Sequence, residues 1–116
     1  ALVADDQHAN LILLRAVLEG GGFEVSTASS GEEALEQTSS GAFDIIFMDV
    51  KMPRMGGVEA MKRIKGSLAE RPPVVALTAL AMKDDRDRLI AEGFDDYLSK
   101  PLKIELLIDV VRRLLG

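Results

Sequence analysis

Two hydrophobic periodicities alternate along the chain, and that alternation restricts its fold more than any other feature. Ala1-Leu2-Val3-Ala4 is a short apolar run that reads as a strand, and Ala9 to Glu19 then carries Leu11, Leu14, Val17 and Leu18 at helical spacing. Gly20-Gly21-Gly22 stops that helix, as glycine does just past a C-terminus. Phe23 to Ala28 largely alternates apolar and polar residues, like an edge strand. A helix is predicted from about Gly31 to Thr38, with Ser30 as candidate N-cap and Glu32 and Glu33 at the positive end of its dipole. Ile45-Ile46-Phe47-Met48 is a continuous apolar run ending in Asp49. A Pro/Gly-containing loop, Lys51 to Gly56, leads into a helix from about Gly57 to Gly66. Val74 to Leu77 is the next apolar run and ends in Thr78. A charged helix from about Ala81 to Glu92 is closed by Gly93; Tyr97-Leu98 is a short strand, Lys100-Pro101 a turn, and Leu102 to Leu115 the last helix.

Strand and helix thus recur five times in 116 residues, about 23 residues per unit. That spacing allows parallel strands joined by crossover helices, and fully apolar strands suit a sheet covered on both faces. The expected architecture is one α/β domain over residues 1–116, doubly wound and flavodoxin-like, with five helices around a five-stranded parallel sheet of order 2-1-3-4-5. A closed eight-stranded barrel would need about twice the length. With no cysteine, disulfides, thiolate zinc sites, iron–sulfur clusters and cysteine nucleophiles are excluded, and a single histidine excludes a multi-histidine metal centre. A formal charge of −5 argues against a nucleic-acid surface as the domain's main business. No apolar run approaches the ~20 residues that span a bilayer. The chain opens on a strand without an initiator methionine, so it reads as a piece of a longer protein.

In open parallel sheets, ligands bind outside the carboxyl ends of the strands, near the point where strand order reverses. Here strand 1 gives Asp5-Asp6, strand 3 Asp49, strand 4 Thr78 and strand 5 Lys100. Each has an ordinary explanation when taken singly. Asp6 suits an N-cap for the first helix, Asp49 an Asx-turn, Thr78 a cap for the fourth helix, and Lys100 a solvated surface. Together these explanations weaken, because three carboxylates at neighbouring strand ends repel one another. A divalent cation is the natural compensator, and an all-oxygen donor set selects Mg²⁺, or Mn²⁺ in its place, over zinc or copper. A nearby lysine and hydroxyl are then fitting partners for a phosphoryl group.

Leu2-Val3-Ala4-Asp5-Asp6, Met48-Asp49-Val50-Lys51-Met52-Pro53-Arg54-Met55-Gly56-Gly57, Ala76-Leu77-Thr78-Ala79 and Tyr97-Leu98-Ser99-Lys100-Pro101 together resemble the receiver domain of two-component response regulators. The resemblance runs in order over essentially the whole chain. It implies that Asp49 accepts a phosphoryl group from the phosphohistidine of a sensor histidine kinase or histidine phosphotransfer protein. It implies that Asp6, Asp49 and the Lys51 carbonyl bind Mg²⁺ directly, with Asp5 acting through water. Lys100 would pair with the phosphoryl oxygens, Thr78 would hydrogen-bond one of them, and Tyr97 would be the aromatic that changes position. A cis peptide is implied before Pro101. The resemblance further implies a phosphoacceptor with self-catalysed transfer and autodephosphorylation, located in the cytoplasm or on the cytoplasmic part of a membrane-anchored kinase. Its output or homodimer contact would be the surface of the fourth helix, fifth strand and fifth helix.

Gly56 stands where family members often have an acid, which should loosen the loop. Lys51, two residues past the acceptor, either crowds the hydrolytic water and lengthens the phosphoryl lifetime or is simply solvated. His8 is expected to be solvated or satisfied, and Asp84 to Arg88 to be the wet face of the fourth helix. In the last helix Ile104, Leu107, Ile108, Val111 and Leu115 form the expected core stripe. Leu106, Val110 and Leu114 widen the apolar arc to about 200°, as extra surface for a partner or merely as a generous stripe. Two alternatives compete with the phosphorylated switch: a receiver-like interaction module that is not phosphorylated, and a Mg²⁺-dependent phosphatase. The intact Asp5, Asp6, Asp49, Thr78 and Lys100 argue against the first. Lys51 in place of a second acid argues against the other.

Overall fold

The structure is a computed structural model that describes residues 1–67, 72–79 and 83–116. Five short strands, β1 (Leu2–Ala4), β2 (Ser26–Ala28), β3 (Ile46–Asp49), β4 (Val74–Thr78) and β5 (Asp96–Ser99), pair in parallel in the order β2-β1-β3-β4-β5. Between and after them run α1 (His8–Gly20), α2 (Gly31–Ser40), α3 (Gly57–Ser67), α4 (Lys83–Glu92) and α5 (Ile104–Leu115). The strand order is the one expected.

Alternation along the strands divides the core in two. Leu2, Ala4, Ile46, Met48, Val74 and Ala76 point to one side, where Ala34, Ala60, Met61, Ile64 and Leu89 of α2, α3 and α4 cover them. Val3, Phe47, Val75, Leu77 and Leu98 point to the other, under Leu11, Leu14 and Leu18 of α1 and Leu107 and Val110 of α5. Register then fixes what stands at the carboxyl rim. Ala4 lies opposite Met48, which brings Asp5 beside Asp49, and Thr78 lies opposite Ser99, just before Lys100.

Several local expectations need correction. The first helix is not capped by Asp6: Gln7 is the N-cap and makes no side-chain cap bond. Ser30 does cap α2, its Oγ accepting from the Glu33 N–H at 3.1 Å. That helix continues to Ser40, and the Thr38, Ser39 and Ser40 hydroxyls bond back to carbonyls of Leu35 and Glu36 in its last turns. The second strand is shorter than Phe23–Ala28, because Phe23 and Val25 tuck against the α1/α5 core before pairing begins. The expected start of the fourth helix, at Ala81, lies outside the described residues. His8 and residues Arg86 to Arg88 are exposed.

The largest correction concerns α5. Leu107 and Val110 are buried and Val111 and Leu114 half-buried, whereas Ile104, Ile108 and Leu115 of the expected core stripe are 46%, 38% and 40% exposed. The buried arc sits roughly 70° round the helix from the predicted one at 100° per residue. An apolar arc twice the usual width leaves the rotation of the helix undetermined by the sequence, and packing on the sheet selects which half is buried.

Candidate functional site

The rim formed by β1, β3, β4 and β5 encloses a cleft of about 220 Å³, lined among others by Asp6, Asp49, Lys51, Thr78, Arg88 and Lys100. Asp5 is fully buried beside it, held by two local donors. The Gln7 N–H donates to Asp5 Oδ1 at 2.8 Å, and Asn10 Nδ2 donates to Oδ2 at 3.1 Å from the first turn of α1. Asp49, last residue of β3, is also buried, and its Oδ1 accepts from the Lys51 N–H at 3.2 Å. Gly57, the first residue of α3, keeps this strand end in place: a Cβ there would land on the Asp49 carbonyl.

Lys100 Nζ lies 3.2 Å from Asp5 Oδ2 and 3.3 Å from Asp49 Oδ2, so one ammonium serves two buried carboxylates. The exposed Asp6 adds a third acid; one oxygen from each of Asp5, Asp6 and Asp49 lies within 4.8 Å of the others. Among the described residues these three carboxylates have one ion-paired cation, Lys100; of the other cations on the cleft wall, Arg88 pairs with Asp85 at 3.5 Å and Lys51 makes no ion pair to the rim acids. Burial, then repulsion from Asp5, pushes the Asp49 carboxyl up to about 7 against the opposing pull of Lys100 and the Lys51 N–H. Hard carboxylate oxygens at this separation, with an unbalanced negative charge, fit Mg²⁺ or Mn²⁺.

Asp5, Asp6, Asp49, Lys51, Thr78 and Lys100 thus come together. Thr78 is buried at the end of β4 and contributes to the cleft wall. Tyr97 is elsewhere: it borders a larger groove of about 530 Å³ between α4, β5 and α5, with the Arg86 guanidinium 5.6 Å from its ring centroid. Volume alone would pick this second groove, whereas the three carboxylates gathered within 4.8 Å of one another pick the first. The Lys100–Pro101 peptide is cis. Sequence reasoning missed Gln7, Asn10 and Gly57, which position the acids, Gln7 from the cleft wall itself and Asn10 and Gly57 from outside its lining. An amide five residues past a strand-end acid was the available signal for Asn10; nothing short of the strand–helix packing marks Gly57. Arg88, part of an expected wet face, reaches the cleft wall.

The family model described as the response regulator receiver domain matches residues 1–112. The chain is 41% identical over 119 residues to the sensor protein GacS of Pseudomonas syringae pv. syringae, covering 99% of this chain but only 13% of GacS. It is 34% identical to the polar-differentiation response regulator DivK of Brucella ovis, covering 99% of this chain and 94% of DivK. A solved receiver domain of a Pseudomonas aeruginosa sensor histidine kinase, with a magnesium ion coordinated in its active-site cleft, superposes with a TM-score of 0.88 at 31% identity. That match covers 99% of this chain and 95% of the other. Chemotaxis protein CheY4 of Vibrio cholerae gives the same TM-score of 0.88 at 32% identity, over 97% and 95% of the two chains. With the fold, the ordered motifs and the acidic rim in agreement, the chain belongs to the response regulator receiver domain family of two-component signalling.

Proposed function

We propose that this chain is a phosphorelay switch in which Asp49 accepts a phosphoryl group from the phosphohistidine of a sensor kinase or histidine phosphotransfer protein. One observation carries the reading: a buried carboxylate at a strand end shares a single lysine with a second buried carboxylate and borders an open acidic cleft. In the transfer, an Asp49 carboxylate oxygen forms a bond to phosphorus as the donor's P–N bond breaks. The imidazole leaves in its neutral form, carrying a proton on its other nitrogen. A carboxylate does this poorly unless the charge of the incoming phosphoryl group is neutralised.

Asp5, Asp6, Asp49 and the Lys51 carbonyl would hold Mg²⁺, which would supply positive charge to offset that of the incoming phosphoryl group. Lys100 exchanges its carboxylate partners for a phosphoryl oxygen, and the Thr78 hydroxyl donates to another. The acceptor is the domain's own aspartate, so the domain is a self-modifying phosphoacceptor, and attack of water on the acyl phosphate then releases inorganic phosphate and returns the Asp49 carboxylate.

Phosphorylation adds negative charge that Thr78 and backbone N–H groups must help stabilise, and this biases two conformations differently. Thr78 pairs in register with Ser99, two residues past Tyr97, so a movement of Thr78 is felt along β5. The readout is then the α4–β5–α5 face, where Tyr97 and Arg86 meet. Similarity to a sensor protein supports a hybrid kinase as parent, with residues 1–116 as its phosphoacceptor unit on the cytoplasmic side. Among the described residues no helix is long and apolar enough to cross a membrane. Incubation with acetyl phosphate and Mg²⁺ should leave acid-stable, base-labile phosphate on the wild type and none on Asp49→Asn or in excess EDTA. An unlabelled wild type contradicts the reading.

A further inference from the structure

The exposed half of the α5 apolar arc carries an inference that does not depend on phosphorylation. Ile104, Ile108, Val111 and Leu115 fall within about 60° of one another at 100° per residue. This row lies on the flank of α5 that turns toward α1, away from the groove beside Tyr97. There Ile108, Val111 and Arg112 face Val17 and Phe23 across a separate groove of about 290 Å³. Three large aliphatic side chains more than a third exposed on one helix flank form an unpartnered apolar face.

Charge says what covers it. Glu105 and Arg112 border the row on its outer side, within about 20° of each other and two turns, about 10 Å, apart. Both are exposed, and neither has an ion-pair partner among the described residues, whereas the neighbouring Arg113 is held by Asp96 at 2.7 Å. Opposite charges placed at equal distances either side of Ile108–Asp109 are the pattern a two-fold contact needs, since the same patch must complement itself. Set antiparallel about that point, two copies of α5 bring each Glu105 against the other's Arg112. The same arrangement puts each Ile104 at the mouth of the other's groove. A different partner would have to supply its own cation and anion at that spacing.

We propose that the α1-facing flank of α5 is a self-association surface, on which a second copy of this chain packs antiparallel through Ile104 and Ile108 with two Glu105–Arg112 pairs. A contact made through one helix flank is a weak one, which tethering within a larger assembly strengthens.

Sedimentation velocity on the unphosphorylated, Mg²⁺-free chain, up to about 1 mM, tests this. The wild type should show a concentration-dependent dimer. Glu105→Arg alone and Arg112→Glu alone should each weaken it at least tenfold. An equimolar mixture of the two variants, or the double variant, should restore it, because opposite charges then face each other at both pairs, one of them reversed in the mixed dimer and both in the double variant. That rescue also excludes misfolding as the cause of the loss. Leu106→Glu, on the opposite flank, should leave the dimer unchanged. A wild type that stays monomeric throughout, so that some other molecule covers the row, overturns the proposal. So does a dimer that responds to Leu106→Glu and ignores the charge swap.

Discussion

Two lysine–aspartate clusters lie at opposite ends of the same sheet, and they are built for different ends. At the amino end of β4, Lys65 Nζ meets Asp95 Oδ2 at 2.7 Å and also donates to the Gly93 carbonyl at 2.7 Å. The same Asp95 oxygen accepts the Val74 N–H at 2.7 Å. One cation faces one anion, every bond is short, and the cluster ties α3 to the starts of β4 and β5. At the carboxyl end, Lys100 spans two buried carboxylates at 3.2 and 3.3 Å with a third acid nearby. The residue types are the same, and stoichiometry separates them. A balanced pair is a clamp; an unbalanced set is a site waiting for positive charge and able to exchange partners.

Replacing each lysine tests that contrast most severely. Lys100→Met should slow labelling by acetyl phosphate at least ~100-fold, the usual loss when a charge-stabilising donor is removed. Lys65→Met should leave the labelling rate within about twofold while lowering urea-unfolding stability by about 1–2 kcal/mol, as two charge-assisted bonds disappear. Equal loss of labelling in both variants breaks the comparison.

Proton linkage sharpens it. Asp49 holds its proton up to about pH 7 in the folded chain, against 3.8 for its ordinary value. Between about pH 4 and 7 the folded state binds more protons than the unfolded one, so without Mg²⁺ this group lowers stability as pH rises, then leaves it flat above 7. Asp49→Asn should remove that slope and gain about 2–4 kcal/mol over the wild type at pH 8, with the gain vanishing near pH 4. Added Mg²⁺ should stabilise the wild type at pH 8 far more than at pH 5. Chemical denaturation across this range checks both; a wild type without the slope shows the rim to be balanced after all.

Much of this was legible in the chain. Short fully apolar runs separated by helical periods dictate parallel strands, and alternation within Leu2-Val3-Ala4 already assigns its residues to two cores. The acids stand out because they terminate apolar runs, where a charge has no packing reason to be. The rotation of α5 was not legible, since eight apolar residues on one helix leave two equally good faces to bury. Nor was Gly57, whose importance exists only once α3 meets β3.

Gly57→Ala exploits that hidden dependence. Pushing α3 off the Asp49 carbonyl should cost about 1–3 kcal/mol of stability and slow labelling severalfold, although the residue carries no chemistry. A variant with unchanged labelling shows that the strand end tolerates the shift. The smallest effect belongs to Lys51, exposed at the cleft edge. Lys51→Asn should shorten the phosphoryl lifetime a few-fold if its side chain crowds the hydrolytic water, read by following loss of label after the donor is removed. An unchanged lifetime marks a solvated lysine.

Which of the three rim acids takes the phosphoryl group is the central question, and it can be read chemically. Borohydride reduces an acyl phosphate to the alcohol, turning the phosphorylated aspartate into homoserine, which peptide mass spectrometry locates. After phosphorylation with Mg²⁺ and reduction, homoserine is expected at position 49, with Asp5 and Asp6 intact. Homoserine at position 5 or 6, or phosphate retained on His8 with position 49 unmodified, contradicts the assignment of Asp49.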